Sequence, residues 1–239
     1  MIIVFTAVSR RRRPILIVAL LFAVVLGVLG ESSDRGTWLP VFAAWAGLTV
    51  VLLTLSVVAV SRFRPAALIM RGRAFAAWPN PARVLIASLF LIQGGFLVAD
   101  GVHDIAAGEE LWGFSAAMVA VCACALMVHW RLVWGWYGVQ LRADGVHDRQ
   151  ALGSLFIPWD AFVPGYPAVA SGSQKVAFHY QHPELVRRRG LRTGDQPATA
   201  GSVDATFLAR AITEYVSRPE YRSAIGTEAE LRRLTAVAG

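Results

Sequence analysis

The sequence predicts a membrane α-helical protein: four transmembrane helices carrying a small cytosolic α+β domain. Three observations predict it. Of 239 residues, 56% are hydrophobic and 16% charged, against about 45–50% and about 25% in soluble domains. The apolar excess lies in four runs without Asp, Glu, Lys or Arg: residues 14–30, 36–61, 84–99 and 111–130. From residue 137 onward the chain is charged and has no long apolar run. An ordinary soluble globule and a disordered chain are both excluded.

The first span covers residues 14–30. It is short, but Arg13 can snorkel and lengthen it. Arg10 to Arg13 could also head a cleaved signal peptide; three further spans make an uncleaved helix the simpler account. The second span, residues 38–61, easily reaches the roughly 20 residues a crossing needs. The loop after it carries Arg62, Arg64, Arg71, Arg73 and Arg83. Residues 66–78 form either a short interfacial helix started by Pro65 or an ordinary charged loop. Pro79 and Pro81 stop any helix there. The third span is residues 84–103, and the fourth is residues 111–134. Helices are the only reasonable reading, because lipid cannot satisfy irregular backbone.

Charge sets the orientation. The tail holds Arg10 to Arg13 and the middle loop five arginines, whereas Glu31 and Asp34 lie between spans one and two. Asp100, Asp104, Glu109 and Glu110 lie between spans three and four. By the positive-inside rule both termini are cytoplasmic. Trp38 and Trp112 open spans on the outer side, and Trp78, Trp130, Trp134 and Trp136 sit at the inner side, as two interfacial belts do. The net charge of +7 is thus a topology signal rather than a nucleic-acid footprint.

Residues 1–136 are read as the transmembrane domain and residues 137–239 as the cytosolic domain. Val139 and Leu141 alternate, Asp144-Gly145 turns, and residues 146–149 return, which is a hairpin signal. Leu155 to Ile157 and residues 176–180 are further strands, with Pro164 to Pro167 a loop. Asp204 caps a helix to residue 217 whose apolar face holds Phe207, Leu208, Ala211, Ile212 and Tyr215. Thr227 and Glu230 form a capping box for a last helix. The result is a small antiparallel sheet packed by an amphipathic helix.

The turn and Gly-Val strand, the Ile157-Pro158-Trp159-Asp160 segment, the later strands and the closing helix together resemble bacterial pleckstrin-homology-like (PH-like) domains. The stretch around His182-Pro183-Glu184-Leu185-Val186-Arg187-Arg188-Arg189-Gly190 and residues 215–227 resemble an actinobacterial group of uncharacterised four-helix membrane proteins. The resemblance implies a PH-like antiparallel sheet or partial barrel after membrane helices. The use of 22 Arg to one Lys, Lys175, agrees with a GC-rich coding sequence.

Arg187, Arg188, Arg189 and Arg192 are the densest basic group of the C-terminal region, suited to anionic lipid headgroups or an acidic partner. Asp100, His103 and Asp104 share a helix face at i, i+3, i+4 and are weak metal candidates. His147, His179 and His182 are a poorer metal set. Residues 99–104 and 143–148 both read Ala-Asp-Gly-Val-His-Asp, which suggests two similar turns. Cys122 and Cys124 point apart on a helix. Gln93-Gly94-Gly95 would let a neighbouring helix approach closely. No phosphate loop, nucleophile elbow or zinc pattern occurs in the sequence, and no cofactor is expected.

The expected function is a non-enzymatic interaction or scaffolding module at the inner membrane surface. Its partners would be the bilayer, anionic headgroups or a membrane protein, not nucleic acid, and it could form a homo-oligomer. A small transporter or channel component is the alternative. An enzyme built on Asp100, His103 and Asp104 is the weakest reading.

Overall fold

The structure is a computed structural model that describes residues 2–32, 35–108, 112–135, 137–150, 152–173, 175–190, 198–199 and 202–236. It divides into two compact units. One comprises Met1–Arg62 with Asn80–Gly135, and the other Phe63–Pro79 with Trp136–Gly239. The boundary is therefore not a single cut after residue 136. The chain passes between units three times, and the middle loop belongs with the C-terminal region.

The first unit is helical: α1 (Ile2–Arg10), α2 (Arg12–Ser32), α3 (Arg35–Arg62), α4 (Pro81–Ala107) and α5 (Trp112–Trp134). The described residues of the four expected spans are all helical. Two helices hold stretches long and apolar enough to cross a membrane, Phe42–Arg62 and Gly113–Trp134. Only 11% and 6% of their apolar windows are buried. Val50, Leu53 and Val57 of α3, and Phe114, Val121 and Met127 of α5, point outward. The first helix, α1, was expected only as a tail; Phe5 buries there.

Helix α4 packs on α2, α3 and α5 around Leu16, Leu26, Val84, Ile92 and Val133. Glycine makes this possible. A Cβ on Gly95 would lie 2.7 Å from Ala23 Cβ, and one on Gly94 3.2 Å from Leu126. The Gly-Gly step thus seats α2 and α5 of the same chain. Gln93 Nε2 donates to Thr49 Oγ1 at 2.6 Å, linking α4 to α3. Arg12 is buried and donates to the carbonyls of Val133 (2.9 Å) and Gly135 (3.3 Å). It supplies partners to carbonyls that a helix end leaves open. Arg13 lies 5.0 Å above the Trp134 ring.

The second unit holds two antiparallel sheets. Its strands are β1 (Ile69–Arg71), β2 (Ala74–Ala76), β3 (Gly138–Arg142), β4 (Gly145–Gln150), β5 (Gly153–Pro158), β6 (Ala168–Ala170), β7 (Lys175–Phe178), β8 (Arg187–Gly190) and β9 (Ala198–Thr199). One sheet runs β1-β2-β3-β4-β5-β8, the other β6-β7-β9. The helices are α6 (Ala205–Ser217) and α7 (Glu228–Ala236).

The interfacial helix considered for residues 66–78 does not form. A hairpin stands there instead, turning at Gly72-Arg73, with Arg71 paired to Ala74. Gly72 has φ +58°, as a Gly-first hairpin turn requires. Pairing Phe75 with Leu141 buries Phe75 completely. That burial is worth about 1.5–3 kcal/mol, a gain an isolated surface helix would forgo.

Both sheets and α6 share one core, with Phe75, Leu141, Val146, Ile157, Val176, Leu208 and Ile212 among its members. Asp204 caps α6, its Oδ1 accepting from Phe207 N at 2.8 Å. Thr227 Oγ1 accepts from Glu230 N at 3.3 Å, but the expected capping box is only half formed: Thr227 N donates to the Ala224 carbonyl, and the Glu230 carboxylate is taken by Tyr215 and Arg233.

Candidate functional site

Side chains alternate faces along a strand, so β3 and β4 place Val139, Leu141 and Val146 inward, and Gln140, Arg142, His147 and Arg149 outward. Register lines these outward positions up. One cross-strand row runs Ala76, Gln140, His147, Phe156, Arg187. A second runs Arg71, Ala74, Arg142, Gly145. A third runs Gly138, Arg149, Ser154, Arg189. Small residues separate the long ones and leave hollows between the arginines.

Two cavities result. The first, about 310 Å3, is lined by Arg71, Arg73, Ala74, Gln140, Arg142, His147 and Arg149. The second, about 260 Å3, is lined by Arg142, Asp144, His147, Ser154, Phe156, Arg187 and Arg189. Arg142 and His147 belong to both. Six arginines line this face, and Asp144 is the only acid among the lining residues.

The electrostatics follow from crowding. Burial, and then the neighbouring Arg149 and Arg142, hold the pKa of Arg71 below its ordinary value. Burial, and then Arg142 and Arg149, hold His147 below the usual imidazole range, against weaker opposition from Asp148 and Asp144. His147 is therefore neutral at pH 7. Its Nδ1 is buried without a hydrogen-bond partner. Arg142 Nη2 donates to Gln140 Oε1 at 3.1 Å. Trp159 Nε1 donates to the Arg142 carbonyl at 2.9 Å, anchoring the backbone beneath. Such a face can hold an anion by several charge-assisted, forked hydrogen bonds.

Of the arginines singled out in the sequence, Arg187 and Arg189 line the second cavity. Arg188 pairs opposite the inward Leu155 and so falls on the other face. Arg192 lies outside the described residues. Asp100, His103 and Asp104 all lie on α4, where His103 is exposed; the side chains of Asp100 and Asp104 are outside the described ones. Among the described residues no three His, Cys, Asp or Glu gather to hold a metal. His179 instead packs on Tyr166, with ring centroids 4.7 Å apart, and His182 pairs with Glu184 at 3.0 Å.

Arg71, Arg73, Arg142 and Arg149 were missed as site residues, and His147 was considered only for a metal, with His179 and His182. The outward set of β3 and β4 was readable from alternation. The Arg71-Gly72-Arg73 turn between apolar pairs was the signal for the first two. No family model matches this chain, and no curated protein or solved structure matches it.

Proposed function

We propose that the chain is a multi-pass protein of the cytoplasmic membrane whose second unit is a non-enzymatic, PH-like interaction module for an anionic partner at the inner surface. In this reading α2, α3, α4 and α5 all span the bilayer, and both termini are cytoplasmic. The observation that carries it is the six-arginine face across β1 and its turn, β3, β4 and β8. The outward apolar side chains of α3 and α5 support the membrane half, since water-soluble proteins rarely expose large contiguous apolar surfaces. The middle loop, most of which belongs to the second unit, is arginine-rich, as the positive-inside rule expects of a cytoplasmic loop. Three chain crossings tether the module to the helices. Two antiparallel sheets closed by a capped helix support the PH-like assignment.

The test is photo-crosslinking in intact cells. A photoreactive residue at Ser154, on the arginine face, gives adducts that Arg142→Glu abolishes; one at Arg232, on α7, gives none. Adducts equal from both positions, or unaffected by Arg142→Glu, contradict the reading.

A further inference from the structure

We propose that the arginine face is a two-pocket site for a compact ligand carrying two phosphate groups, one in each cavity, clamped at the shared Arg142 and His147. This rests on the interaction-module reading and specifies the chemistry its site accepts. Two observations make the ligand divalent. The cavities are separate in their lining but share one wall, Arg142 and His147. Each also has its own arginines: Arg71, Arg73 and Arg149 in the first, Arg187 and Arg189 in the second.

The charge argues for phosphate over carboxylate. The first cavity sets four guanidinium groups around a space without an acid. One carboxylate carries a single charge and two oxygens. A phosphate group offers three acceptor oxygens and up to two charges, so it can occupy several forks at once. The pKa of Arg71 is depressed first by burial and then by Arg149 and Arg142, and an entering anion offsets the repulsion from those two arginines. Uncharged donors complete the floor. His147 lines both cavities, and its neutral ring carries one N–H that can donate to an oxygen. Ser154 can serve the second cavity in the same way.

A phosphate of this kind can be free in the cytosol or borne on a lipid headgroup, and the experiment separates the two. The full chain is reconstituted in phosphatidylcholine nanodiscs, and inorganic tripolyphosphate and orthophosphate are titrated by calorimetry at 150 mM salt. Tripolyphosphate should bind at least tenfold tighter than orthophosphate. Arg142→Gln should weaken tripolyphosphate at least tenfold. The pairs Arg71→Ala with Arg73→Ala, and Arg187→Ala with Arg189→Ala, should each reduce it toward the orthophosphate level. Arg210→Ala, on an exposed part of α6, should change nothing. All the site arginines are exposed, so melting midpoints should match the parent.

Repeating the titration in phosphatidylglycerol nanodiscs names the source. A weaker tripolyphosphate affinity there than in phosphatidylcholine that persists at about 0.5 M salt, where the surface potential is largely screened, means the headgroup competes for the pockets; equal affinities at that salt mean a soluble ligand. Absence of tripolyphosphate binding, or binding indifferent to Arg142→Gln and to both pairs, overturns the proposal. If it fails while the Ser154 adducts persist, the module reading stands and only the ligand class is wrong.

Discussion

Tyr215 and Glu230 show how single residues hold the second unit together. Tyr215 is fully buried, and its hydroxyl donates to Glu230 Oε1 at 2.9 Å. Arg233 donates to both oxygens of Glu230, at 2.8 and 2.6 Å, and also to Glu214. The Arg233 hydrogen bonds outweigh burial and hold the Glu230 carboxyl below its ordinary pKa. A depressed carboxyl stabilises the fold above the unfolded value of about 4.3, and that contribution is lost as pH falls through the folded pKa. Glu230→Gln should therefore cost about 1–3 kcal/mol at pH 7 and flatten the acid limb of stability below about pH 4.3. Thermal melts of the detergent-purified chain across pH check both. Gly145 acts through backbone and space together: its φ is +154°, and a Cβ there would collide with the Ile157 carbonyl oxygen. Gly145→Ala should cost about 3 kcal/mol, as overpacking against fixed backbone does, read as a lowered melting midpoint.

The same six residues become two different elements. Residues 99–104 lie within α4, whereas residues 143–148 form the turn and the first four residues of β4. In α4, Gly101 is a packing notch, where a Cβ would meet Val119 at 2.7 Å. In the hairpin, Gly145 opens a strand instead. Local composition cannot separate these fates; the long apolar run before residue 99 and the alternation before residue 143 can. Elements with strong local signals were legible: the four long helices, the β3–β4 hairpin and the Asp204 cap. The β1–β2 hairpin was not, because its stability comes from pairing with β3, and α4 and α5 intervene in sequence. For the same reason only Arg187 and Arg189 of the arginine face were found as a basic cluster. The other four arginines are brought in by register, which no local window contains. At the helix level, Gly95→Leu should push α2 from α4 and lower stability by about 1–3 kcal/mol, seen as an earlier melt in detergent.

At the scale of the whole molecule, one chain combines helices that turn apolar side chains outward with a sheet unit that gathers most of its own into one core. The first arrangement is stable where the surroundings are hydrocarbon, the second where they are water. Arg12 and Arg13 sit at the C-terminal end of α5, so the tail arginines share that end of the bundle. On the proposed topology this end faces the cytoplasm, and the second unit with it. The most direct measurement is labelling with a membrane-impermeant maleimide. Cysteine is placed at Leu152, which is 70% exposed, or at Gly108, with Cys122 and Cys124 replaced by Ala. The account predicts that Gly108→Cys is labelled in intact cells, and that Leu152→Cys is labelled only after lysis or in inverted vesicles. Labelling of Leu152→Cys from outside intact cells would contradict it.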